Sequence, residues 1–145
     1  MIKLGIINKS NNPLPEYQTS GSSGMDLMAW LPESAITLMP GERTLIHTGL
    51  YFEIPDNYEL QIRSRSGLSL KRGLIVLNEP GTIDSDYRGE LGIILYNASN
   101  EPQTITSGDR VAQMVIAKVE KAILNEVIGF EFTERGEGGF GHTGV

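Results

Sequence analysis

Hydrophobic and polar positions along the chain follow the two-residue period of β-strands far more than the helical period. Residues 58–65, YELQIRSR, alternate cleanly, with Tyr58, Leu60 and Ile62 on one face and Glu59, Gln61, Arg63 and Arg65 on the other. Residues 74–78 (LIVLN) and 89–97 (GELGIILYN) are apolar on both faces and read as buried strands. Further β-rich runs occupy 2–8 (IKLGIIN) and 36–39 (ITLM), the latter closed by the turn Pro40-Gly41. Residues 43–54 (RTLIHTGLYFEI) alternate only in part and suggest two strand pieces. The Val/Ile content of 109–119 (DRVAQMVIAKV), after the turn signal Ser107-Gly108, favours strand over helix, and 122–130 (AILNEVIGF) reads as one more strand. Only 69–72 (SLKR) suggests a helical turn. Many short strands separated by turn signals predict an all-β sandwich, jelly roll or barrel.

Composition narrows this picture. A chain of 145 residues is large enough for one domain with a real core, and 17 glycines with 7 prolines match a turn-rich β protein. The absence of cysteine excludes disulfides and thiolate metal sites. A net charge of −6 argues against a nucleic-acid partner that needs a broad basic face. No run approaches the roughly 20 apolar residues of a membrane span, and the N-terminus lacks the apolar run of a signal peptide. A soluble cytoplasmic protein without a membrane partner is the expectation.

Against this acidic background the cations are concentrated. Residues 61–72 (QIRSRSGLSLKR) hold Arg63, Arg65, Lys71 and Arg72 and no acid. Fixed cations, the hydroxyls of Ser64 and Ser66 and the unshielded amide of Gly67 suit phosphate oxygens, although a solvated strand edge has the same composition. Residues 78–92 (NEPGTIDSDYRGELG) place the turn signal Pro80-Gly81 before a second strand piece, as in a β-hairpin or a tight loop. Asp84 and Asp86 then point the same way, to bind a metal, orient a water or end a strand. Asp86 is equally a structural residue, for instance a partner of Arg110. The last eleven residues, RGEGGFGHTGV, contain five glycines, with Arg135 at the start and a lone Phe140. They fit neither a P-loop nor a dinucleotide fingerprint, and a frayed terminus would not account for the cation and the ring.

The order of these segments is more specific than any one of them. The chain presents SGSSGMDLMA (20–29), RSGLSLKRG (65–73), GTIDSDYRGELG (81–92), GDRVAQMVI (108–116) and RGEGGFGHTG (135–144). This series resembles the five ordered motifs of the trimeric dUTPases and covers nearly the whole chain from residue 20. Many members have proline before R-S-G, where this chain has Ser64, a change expected to matter little. The resemblance implies a distorted jelly-roll subunit and a homotrimer whose active sites are each built from three chains. It also implies hydrolysis of dUTP to dUMP and pyrophosphate with Mg2+, which limits uracil in DNA and supplies dUMP for thymidylate synthesis.

The resemblance assigns roles to residues as well. Arg65, Ser66 and Gly67 would hold phosphates, with Gln113 nearby. Asn78, Gly81, Thr82, Ile83 and Gly92 would receive uracil. Asp84 would orient the attacking water, and Tyr87 would pack on deoxyribose and leave no room for a 2′-hydroxyl. Asp26 would support the metal through water. Residues 1–132 would form the β-domain and 133–145 a glycine-rich lid. In that lid Arg135 would reach the terminal phosphates, Phe140 would cover the base, Gly141 would also bind substrate, and His142 and Thr143 would lie near the γ-phosphate. From residue 129 the tail can span about 55 Å, enough to reach a neighbouring subunit. A dCTP deaminase relative and a non-catalytic nucleotide-binding module are the competing readings.

Overall fold

In the computed structural model, residues 2–139 are described, and they form a sandwich of antiparallel strands. One sheet has the order β1 (Gly5–Asn8), β4 (Arg43–Glu53), β8 (Glu90–Asn97), β6 (Leu74–Val76). The other has the order β2 (Met25–Met28), β10 (Arg110–Lys118), β5 (Tyr58–Arg63), β7 (Gly81–Ile83). A small ribbon pairs β3 (Ile36–Leu38) with β9 (Gln103–Ile105). The one helix among the described residues, α1 (Ser66–Arg72), bridges the two main sheets between β5 and β6 and is capped at Gly73, whose N–H bonds the Ser69 carbonyl at 3.0 Å.

The core lies between the sheets, where Leu27, Leu60, Leu91, Ile93, Leu95 and Val111 are buried from both sides. Each such side chain contributes about 1.5–3 kcal/mol through removal from water. Leu60 and Ile62 are buried while Glu59 and Gln61 are half-exposed, as the alternation of this segment predicts. The buried polar Asn97 is fully engaged: its amide donates to the carbonyls of Leu38 and Glu101, and its Oδ1 accepts from Ser99.

Several expectations are revised. Residues 43–54 form one strand rather than two pieces. β4 is continuous, but its pairing with β8 absorbs two extra residues between His47 and Tyr51. Gly49 makes this bulge possible: its φ of +69° is left-handed, and an added Cβ would lie 2.8 Å from the Ser10 amide nitrogen. β8 is buried on only one face, since Ile94 on the other is 36% exposed. The segment 78–83 is not a simple hairpin, because β6 and β7 belong to different sheets and the connection between them crosses the sandwich edge.

Residues 122–130 form no strand. Ile123, Leu124, Ile128 and Phe130 are exposed. The run has strand-like composition, but a strand requires a neighbouring backbone, and this chain offers it none.

Candidate active site

β7 is the edge strand of its sheet. Its inner side pairs with β5 through Leu60–Ile83, Gln61–Thr82 and Ile62–Gly81. Alternate N–H and C=O groups on its outer side therefore have no ladder partner and remain open to a planar ligand with a complementary edge. After Ile83 the chain turns, with the Tyr87 N–H on the Asp84 carbonyl at 3.2 Å, and enters β8 at Glu90. The Tyr87 hydroxyl donates to the Glu90 carbonyl at 3.0 Å, which holds the ring over this turn.

These elements enclose a cleft of about 280 Å³ lined by Asn78, Thr82, Ile83, Asp84, Tyr87 and Gly92, with Leu45, Glu90 and Ile94. Six of the residues that the sequence motifs single out are thus brought together. Gly81 is buried beside them, and an added Cβ would stand 3.3 Å from the Asn78 side chain. A Cβ at Gly92 would stand 2.7 Å from Leu45 Cδ1, so residue 92 has no space for a side chain beside Leu45. Leu45 of β4 and Ile94 of β8 were not singled out by the sequence. For Ile94 the signal was the apolar character of both faces of β8, which marks a second buried or ligand-facing surface as readily as a strand sunk in the core.

A second group forms around the start of α1. Arg65 is its N-cap residue, so the amides of Ser66 and Gly67 fall in the first turn, where no intrahelical acceptor exists. The strand ends at Arg63, so Arg63 and Arg65 do not continue one alternating face as expected. Arg63 bonds Gln61, whereas Arg65 forms a two-pronged pair with Asp26, at 2.7 Å from Nε to Oδ1 and 3.1 Å from Nη2 to Oδ2. A third bond joins Arg65 Nη1 to the Arg110 carbonyl at 3.0 Å. Arg110 itself approaches Asp26 at 3.4 Å, not Asp86. Gln113 lies opposite Asp26 and Arg63 in the sheet and donates to the Ser64 carbonyl at 2.9 Å. Arg72 is spent on Gln103 and Thr104 and is a packing residue.

The cleft lining does not include Arg65, Ser66, Gly67 or Gln113. One chain therefore carries two separate groups of candidate residues. Arg135 is exposed, with its Nε on the Gly138 carbonyl at 2.9 Å. Phe140, Gly141, His142 and Thr143 lie outside the described residues. No cluster of three or more His, Cys, Asp or Glu side chains arranged for a metal occurs among the described residues. No helix among the described residues is long and apolar enough to cross a membrane.

Glu90 braces the cleft from behind. Its carboxylate accepts from the amides of Thr48 at 3.2 Å and Gly49 at 2.8 Å, and lies 3.0 Å from His47 Nδ1, so it plugs the β4 bulge. Partial burial pushes this carboxyl up, but the Gly49 amide, the His47 ring with its charge and the Thr48 amide outweigh it and leave the group below its ordinary value of 4.5. A depressed carboxyl stabilises the fold fully above its unfolded value and loses that contribution as pH falls through the folded value. Glu90→Gln is therefore expected to cost about 1 kcal/mol at neutral pH. Urea melts should show the gap between wild type and variant closing once the pH drops below the carboxylate range.

The comparisons with known proteins agree with this geometry. The dUTPase family model matches residues 10–144. A deoxyuridine 5'-triphosphate nucleotidohydrolase of Finegoldia magna is 59% identical over 143 residues, covering 99% of both chains. One from Fusobacterium nucleatum is 50% identical, covering 99% of this chain and 97% of its own. Among solved structures, a Staphylococcus bacteriophage 80alpha dUTPase with dUpNHpp superposes with a TM-score of 0.84 at 29% identity over the full length of both chains. A phage phi11 dUTPase mutant, described with a structural Mg(II) ion, gives 0.78 at 27% identity over 90% of this chain and all of its own. With a match across almost its entire length and relatives more than half identical to it, the chain belongs to the dUTPase family.

Proposed function

We infer that the chain is a dUTP diphosphatase that hydrolyses dUTP to dUMP and pyrophosphate. The observation that carries this reading is the cleft at the edge of β7, where free backbone groups, the Asp84 carboxylate and the Tyr87 ring meet. Uracil and cytosine exchange a donor for an acceptor at one edge. A fixed backbone edge favours one of them strongly, because the wrong base leaves buried polar groups unpaired. Thymine differs by a methyl group, which a close backbone floor at Gly81 and Gly92 excludes by fit. Tyr87, pinned through its hydroxyl, packs on the sugar and disfavours a 2′-hydroxyl.

The chemistry adds negative charge to a triphosphate that is already anionic, so positioning and charge neutralisation dominate. Asp84 aligns a water for attack on the α-phosphorus and accepts its proton. The first-turn amides of α1, the two guanidinium N–H groups of Arg65 not engaged with Asp26 or Arg110, Gln113 and Arg135 serve the phosphates. Mg2+ prefers oxygen ligands and retains water, and the lack of a protein ligand cage among the described residues suits an ion carried mainly by the triphosphate. When bound it would neutralise phosphate charge. Asp26, with both oxygens already bonded to arginines, would act on it only through water.

Two features support a homotrimer with shared sites. The nucleobase group and the phosphate group of one chain are separate, and residues 122–132 leave large apolar side chains uncovered, Ile123 at 97% and Phe130 at 96% exposure. These side chains find cover on a neighbouring copy, and the tail from 133 to 145 closes over a site as a lid, with Arg135 on phosphate and Phe140 on the base. A cytoplasmic location goes with this reading, since free deoxynucleoside triphosphates are the substrate.

Pyrophosphate release from dUTP, dTTP, dCTP and UTP, each with and without Mg2+, tests the assignment. Release from dUTP alone, dependent on Mg2+, is the expected result. Ammonia from dCTP would mark a deaminase instead, and nucleotide binding without turnover would mark a binding module.

A further inference from the structure

Ser64 occupies the junction between β5 and α1, yet its bonds lead elsewhere. Its Oγ accepts from the Val76 amide at 2.9 Å, at the end of β6, and donates to the Glu79 carboxylate. Its carbonyl accepts from Gln113 of β10. Glu79 is an exposed residue between Asn78 and Pro80, and its own amide returns to the Val76 carbonyl at 3.3 Å. Ser64 thus holds residues 76 and 79 on one oxygen, and Asn78, which lines the nucleobase cleft, lies between them. The connection has few other anchors, since it passes from one sheet to the other and Leu77 N–H on the Ile94 carbonyl is its remaining backbone tie.

We propose that Ser64 and Glu79 are a pair of positioning residues that set the Asn78 turn, and through it the base selectivity of the cleft. A proline at 64 would have no hydroxyl for either bond, so this device belongs to the serine this chain carries. A hydrogen bond to a carboxylate is short and directional, which suits a turn that must place a side chain without touching the ligand itself. The proposal rests on the dUTP reading of the cleft.

Glu79→Ala removes an exposed side chain and leaves the Val76–Ser64 bond in place, so the fold should persist. Its kcat/KM for dUTP is expected to fall about tenfold. The preference for dUTP over dCTP should fall with it, while competitive inhibition by inorganic pyrophosphate, which needs only the phosphate group, stays within about twofold of wild type. Ser64→Ala should do at least as much, Ser64→Thr should restore the effect, and Ser64→Ala with Glu79→Ala should be no worse than Ser64→Ala alone. Unchanged base preference in Glu79→Ala, or parallel loss of dUTP turnover and pyrophosphate inhibition with a lowered Tm, would overturn the proposal. Hydrogen exchange gives a readout without turnover: the amides of residues 76–79, 81 and 82 should exchange faster in Glu79→Ala at unchanged Tm, and unaltered exchange would refute the pair. Failure of the wild type to hydrolyse dUTP would sink the functional reading alone, with exchange still deciding the pair.

Discussion

Asp84→Asn is expected to lower kcat for dUTP by about 10²–10⁴-fold while a non-hydrolysable dUTP analogue binds with a Kd within about threefold of wild type. The substitution keeps the shape of the side chain and removes only its charge and its capacity to accept a proton. The local turn does not depend on that carboxylate, because it is the Asp84 carbonyl that accepts the Tyr87 amide. Asp84 is exposed at the mouth of the cleft, so neither folding nor packing should suffer. Single-turnover rates beside calorimetric binding would separate the two effects. A variant with wild-type kcat would remove Asp84 from the chemistry, and one that failed to bind the analogue would make it a binding residue.

Deletion of residues 134–145 is expected to leave a folded protein with the same Tm and a kcat/KM for dUTP reduced by on the order of 10²-fold or more, the scale set by losing charge-stabilising contacts and water exclusion together. Among the described residues the last strand ends at Lys118, and no side chain beyond Ile116 packs in or against the core. The tail therefore contributes little to folding. It carries Arg135, whose fork matches phosphate oxygens, and Phe140, whose ring can cover a base. Arg135→Ala and Phe140→Ala should each reproduce part of the loss. A truncated chain with unchanged kcat/KM would show that the glycine-rich end has no part in turnover.

The two predictions draw on different kinds of legibility. Asp84, Tyr87 and the residues around them could be read in the sequence because a tight strand-turn-strand holds them within fifteen residues, and the chain's local geometry already constrains where they point. Strand positions were legible for the same reason: β5 shows its burial pattern in its own residues, and β8 and β10 show where they run, although β8 is buried on one face only. Pairing was less so. The run 122–130 has the composition of a strand and no partner, while β7 is a strand of three residues that exists because β5 lies beside it.

The chain's own order of residues was sufficient for the all-β class, the edges of most strands and the family, since alternation, turn chemistry and motif spacing are local properties. Contacts between distant segments were beyond it. Nothing near Ser64 announces Glu79, nothing near Glu90 announces the bulge at Gly49, and Arg65 meets Asp26 across 39 positions. Those pairings arise when two sheets pack face to face and fix which backbone amide, hydroxyl or carboxylate arrives opposite which. A hydrogen bond depends on tenths of an ångström, and distances that fine are set by packing.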